Sequence, residues 1–145
     1  MNTLFPLKGF GRTEIYLRGN IDISKDDTWD FNYVMSGIIY INNVFDNIET
    51  IFETNIRSYG SPFPDRYHPE LDTSQLLIGD HISKYRLLII CLDWADTKDR
   101  LGVCCATSTL GRYQIAPKQV HLGYVLRIFG YLKHYIKQLV IFDSY

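Results

Sequence analysis

Residues 117–137 read PKQVHLGYVLRIFGYLKHYIK, and their spacing decides how this chain folds. Leu122, Val125, Ile128, Phe129, Leu132, Tyr135 and Ile136 recur every three or four positions, the period of one helix face. Pro117 suits a first helical position, where its missing N–H costs nothing. The spacing predicts one long amphipathic helix. Opposite the stripe lie Gly123, Arg127, Gly130, His134 and Lys137. Cations separated by residues without side chains would let a phosphate backbone approach closely. The same glycines would equally let a neighbouring helix pack tightly, and the sequence leaves both readings open.

Two further helices precede this one. Leu101 to Ile115 is mostly apolar, and Ile82 to Ala95 places Tyr85, Leu88, Ile89 and Leu92 on one face. Between 57 and 80, Gly60, Pro62, Pro64, Pro69 and Gly79 interrupt any period, so an extended connection is expected. Before it, Ile38, Ile41, Val44, Phe45, Ile48, Ile51 and Phe52 describe an amphipathic helix with Ser36 as its N-cap. Upstream the period changes to two. Ile15, Leu17, Ile21 and Ile23 alternate with Tyr16, Arg18, Asn20 and Asp22, turn residues follow at Ser24 to Asp27, and Trp29, Phe31 and Tyr33 alternate again. The expected fold class is therefore α+β in a single partial domain. Residues 1–56 supply an N-terminal β-hairpin and a helix, 57–80 an extended connection, and 81–145 a C-terminal three-helix bundle ending in a short strand at Leu139 to Phe142.

With 145 residues, 46% of them hydrophobic, the chain suits one core rather than two. No run approaches the roughly 18 apolar residues of a membrane span, since Leu87 to Leu92 stops at Asp93. Met1 to Gly11 lacks the pattern of a secretory signal, so an intracellular protein, cytoplasmic or nuclear, with no membrane partner is expected. The net charge of -1 hides an asymmetry. Residues 1–80 hold twelve acidic against six basic side chains, whereas 81–145 hold four against nine, with no acid from Arg100 to Phe142. Clustered cations gain affinity for phosphates by releasing counterions, while solvated helix faces are the plainer alternative.

Nothing nominates an active site. Asp26 and Asp27 fall in the expected hairpin turn, and Asp93, Asp96 and Asp99 repel one another near a helix C-terminus, which suits solvated loop positions better than a cation site. His68, His81, His121 and His134 lack zinc spacing, and no phosphate-cradling glycine loop is present. Cys91, Cys104 and Cys105 give neither a disulfide framework nor a CxxC pair. A nucleophilic Cys104 or Cys105 served by His121 remains as an enzymatic alternative, and would require a depressed thiol pKa.

The order of residues is more specific than their composition. Residues 83–132, SKYRLLIICLDWADTKDRLGVCCATSTLGRYQIAPKQVHLGYVLRIFGYL, resemble the segment downstream of the polymerase core in copia-type retrotransposon reverse transcriptases. That family's pattern runs approximately YRxLIGxLxW, RxDI, LxRF and PxxxHxxxxxRIxxYLK. Tyr85, Arg86, Leu88, Ile89, Leu92, Trp94, Arg100, Val103, Leu110, Arg112, Tyr113, Pro117, His121, Arg127, Ile128, Tyr131, Leu132 and Lys133 match it. Upstream, Ile15 to Gly19 resembles the family's YLG strand, Ser36 to Val44 its serine-led helix, and Ser58 to Asp72 its TP-containing connection. Ile90 and Gly102 depart from a family Gly and Asp. Ile39 and Asn42 to Asn43 replace common basic residues on a helix that also carries Asp46, Glu49 and Glu53.

The resemblance implies a non-catalytic thumb and connection region from a Pol polyprotein fragment, which contacts the template-primer duplex of an RNA-directed DNA polymerase. It implies phosphate contacts at Arg112, Lys118, Arg127, Lys133 and Lys137, and structural roles for Tyr85, Trp94, Arg100, Pro117, His121 and Tyr131. The implied partners are an RNA/DNA or DNA duplex and the remaining polyprotein. No enzyme activity and no cofactor are expected of this chain by itself, since the magnesium ions of the family belong to palm and RNase H carboxylates that it lacks. The alternative is a structural or protein-interaction remnant that binds no nucleic acid.

Overall fold

The computed structural model describes residues 15–16, 19–25, 31–96, 101–137 and 140–142. Four helices carry the described packing: α1 (Ile38–Phe52), α2 (Asp80–Asp96), α3 (Cys104–Gly111) and α4 (Gln119–His134). Ile41, Val44, Phe45 and Ile48 of α1 are buried, as their three-and-four spacing requires. They meet Tyr85, Leu88, Ile89, Leu92 and Ala95 of α2, Ala106 and Leu110 of α3, and Val125, Ile128, Phe129 and Leu132 of α4 in one core. Each fully buried large aliphatic side chain contributes about 1.5–3 kcal/mol relative to exposure. Phe45 and Phe129 meet edge-to-face at 6.5 Å, and the Tyr40 hydroxyl donates to the Cys91 carbonyl at 3.2 Å, fixing α1 against α4 and α2.

The connection between α1 and α2 is pinned at both ends. Near its start, the Tyr59 N–H donates to the Gly130 carbonyl of α4. Near its end, after a 3-10 turn at Pro69–Leu71, the Leu77 N–H donates to the Pro117 carbonyl and the Gln119 N–H donates to Gln75. The connection is thus extended, as expected, but it is strapped along α4 instead of looping free.

The expected α+β class is corrected by this architecture. Among the described residues helix predominates, and the expected N-terminal β-hairpin is not supported. The described backbone also includes short segments, Ile15–Tyr16 (β1), Gly19–Lys25 (β2), Phe31–Ser36 (β3) and Val140–Phe142 (β4), paired antiparallel in the order β1-β2-β3-β4. The last falls where a short closing strand was expected, at Leu139 to Phe142, but the first three do not have the expected bounds. The continuous strand foreseen over Glu14 to Ile23 is instead two paired segments, with Ile15 opposite Asn20. Ser24 and Lys25, read as turn residues, pair with Asn32 and Phe31, while Asp26, Asp27 and Trp29 lie outside the described residues. Alternation specifies a strand's place only where one face is buried. Among the described residues the buried core comprises side chains of the four helices with Ile56, Leu77 and Val103.

Helix ends also differ. Ser36 closes β3, and Gly37 is the N-cap of α1. The third helix is shorter than its apolar run suggests: a 3-10 turn at Leu101–Val103 leads into α3, which stops at Gly111. Pro117 precedes the α4 N-cap, Lys118, instead of occupying the first turn.

Candidate functional site

Helix α4 and the strap across it enclose a cleft. Gly130 makes this possible. A Cβ there would stand 2.1 Å from the Arg57 carbonyl oxygen and 2.5 Å from the Tyr59 ring, so only glycine admits the strap at this height. Gly123, two turns earlier, has nothing within 4 Å of an added Cβ and faces open space. The two glycines therefore serve different ends: one is a packing contact, and the other lines a cleft. That cleft, about 350 Å3, is bounded by Thr54, Asn55, Arg57 and Tyr59 of the strap and by Gly123 and Arg127 of α4.

Arg127 is half-buried. Its guanidinium carbon lies 4.4 Å from the Tyr59 ring centroid, a stacking distance, and its Nε is buried with no hydrogen-bond partner among the described residues. Tyr59 in turn rests against Gly130, so the strap that seats the tyrosine also orients the arginine. Beside the cleft, Lys133 Nζ donates to Glu49 Oε1 at 3.0 Å and to Asn55 Oδ1 at 3.1 Å. Glu49 is held below the usual carboxylate range, first by that Lys133 bond and then by the Ile56 N–H. An acid of α1 thus neutralises a cation of α4.

The five residues expected to contact phosphates are dispersed. Lys118, at the N-cap of α4, directs Nζ to the Asp72 carbonyl. Nine residues separate it from Arg127, which at 3.6 per turn puts the two on opposite sides of the axis. Arg112, in the turn after α3, and Lys137, beyond α4, are exposed. Arg127 and Lys133 are the pair that the structure brings near one another, through Asn55.

The residues that carry the resemblance form a framework. Tyr85 is fully buried, and its hydroxyl donates to the Leu110 carbonyl at 2.7 Å, joining α2 to α3. His121 is buried, with Nδ1 accepting from the Lys118 N–H and Nε2 facing the Pro69 carbonyl, each at 3.2 Å. Pro117 is buried at the strap's far anchor, Tyr131 stacks on Tyr135 at 4.9 Å, and Trp94 remains 40% exposed. Arg100 lies outside the described residues.

For Cys104 the enzymatic alternative finds no support. Both nitrogens of His121 are engaged, and the exposed Cys104 thiol is pushed up by its hydrogen bond to Asp96 and by that carboxylate's charge. A nucleophile needs the opposite shift. Among the described residues no group of three or more His, Cys, Asp or Glu side chains is placed to hold a metal ion, with Asp99 lying outside them. No described helix is long and apolar enough to cross a membrane.

Sequence reasoning missed Arg57, Asn55 and Tyr59. Their one signal is polarity in an aperiodic stretch, and their role depends on a contact with Gly130, more than 70 residues away. Comparison with known families, curated proteins and solved structures finds no match.

Proposed function

We propose that this chain is the thumb and connection region of a copia-type reverse transcriptase, holding nucleic acid without performing phosphoryl transfer. The observation that carries the reading is that Arg57 and Arg127 both line a cleft with no Asp or Glu among its lining residues. Phosphate contacts need cations left unneutralised, and the stack on Tyr59 holds one guanidinium in place without neutralising it. Arg112 and Lys137 are exposed, whereas Lys118 and Lys133 are occupied within the chain. Polymerisation would belong to palm carboxylates elsewhere, and the family pattern of residues 83–132 supports the assignment to a region downstream of them.

Titration with an RNA/DNA hybrid at two salt concentrations tests the reading. Each neutralised phosphate adds about 0.9 to the slope of log affinity against log salt for B-form DNA, so two to four contacts give a slope of about 2–4. Absence of binding, or an affinity indifferent to salt, would refute it. The engagement of Lys118 and Lys133 favours the second reading, a structural or protein-interaction remnant, which predicts that refuting result.

A further inference from the structure

We propose that the cleft between the 54–59 strap and α4 is a binding site for one phosphate group, gripped jointly by Arg57 and Arg127. This deepens the duplex-holding reading and rests on it for the source of the phosphate, a nucleic-acid backbone. Three features favour an anion. The lining residues include two arginines and no Asp or Glu. The neighbouring acid, Glu49, is already matched by Lys133 at 3.0 Å. Arg127 Nε is removed from solvent with no acceptor among the described residues, and a buried donor left unsatisfied is costly.

Donor number favours phosphate over a carboxylate. A guanidinium presents five N–H donors in a planar fork. Thr54 adds a hydroxyl, and Asn55, whose Oδ1 is taken by Lys133, keeps its amide NH2. Two forks, a hydroxyl and an amide exceed what two carboxylate oxygens accept, and match the several oxygens of a phosphate. At Gly123 no side chain obstructs the wall, so a group carried on a polymer backbone has room to approach along α4.

The test follows the arginine Nε–H resonances of the full chain by NMR during titration with inorganic phosphate, then with an RNA/DNA hybrid. The Arg127 resonance should shift saturably with phosphate and stay still with chloride at matched ionic strength. Arg57→Gln changes an exposed side chain and leaves the backbone contact with Gly130 intact; it should weaken phosphate binding about tenfold, and lower the hybrid's salt slope by about 1. Arg127→Lys keeps the charge but loses the fork, and should weaken phosphate binding comparably. A motionless Arg127 resonance, or wild-type phosphate affinity in either variant, overturns the proposal even where the hybrid still binds. Phosphate binding without hybrid binding supports the cleft and removes the duplex reading instead.

Discussion

Gly130 and Arg57 meet backbone to backbone: a Cβ on the glycine would lie 2.1 Å from the arginine carbonyl oxygen, nearer than any real contact allows. That single approach seats the strap, and through Tyr59 it sets the plane of Arg127.

Replacing Gly130 with Ala should therefore destabilise the chain by about 1–3 kcal/mol, because neither backbone yields cheaply and the overpacking outweighs the gain in helix propensity. Gly123→Ala, in open space within the same helix, should stabilise it by about 0.5–1 kcal/mol. Urea unfolding of both variants measures the contrast, and equal effects of like sign would contradict it.

Two tyrosines offer a second contrast of sign. Tyr85 donates to Leu110, a carbonyl that also accepts from the Tyr113 N–H, so Tyr85→Phe leaves no orphaned acceptor and should cost about 1 kcal/mol. The Tyr67 oxygen is buried with no partner among the described residues, and its phenol is pushed up to about 12, chiefly by burial. Tyr67→Phe removes an unsatisfied group and should be neutral or stabilising by up to about 1 kcal/mol. A loss at Tyr67 as large as that at Tyr85 would show that the hydroxyl is satisfied after all.

What the sequence could and could not foretell divides along the range of the forces involved. Ile41, Val44, Phe45 and Ile48, then Tyr85, Leu88, Ile89 and Leu92, then Val125, Ile128, Phe129 and Leu132 are all buried where the helical period puts them. The period overran the true ends: Tyr135 lies past α4 and is 41% exposed, and Ile115, 88% exposed, lies past the stop at Gly111. Alternation from Ile15 to Ile23 suggested one continuous strand, where the structure has two paired segments with Ile15 opposite Asn20. The cleft was unreadable for another reason. Whether Gly130 or Gly123 admits a neighbour depends on where the aperiodic strap runs, and no local pattern encodes that.

Cys104 should alkylate more slowly than an unstructured thiol at pH 8, because hydrogen bonding to Asp96 and that residue's charge raise its pKa and deplete the thiolate. Asp96→Asn should speed the reaction. Iodoacetamide kinetics, read at Cys104 by peptide mass mapping, decide the matter. Faster reaction in the native chain than in the urea-unfolded chain would revive a nucleophilic cysteine.

The Glu49–Lys133 pair makes stability depend on acid. Lys133 and the Ile56 N–H favour the ionised carboxylate, so the folded-state pKa of Glu49 lies below its value of about 4.3 in the unfolded chain. A depressed carboxylate pKa contributes stability that is complete above the unfolded value and disappears as pH falls through the folded one. Wild type and Glu49→Gln should accordingly differ in urea midpoint at pH 7, with wild type the more stable. Their curves should begin to converge as pH falls below the unfolded value and meet once it passes below the folded one, as the carboxylate gains its proton. Salt should narrow the pH 7 difference, since both side chains are 35% exposed. A difference that persists undiminished to pH 2.5 would show that Glu49 acts through packing and not through its charge.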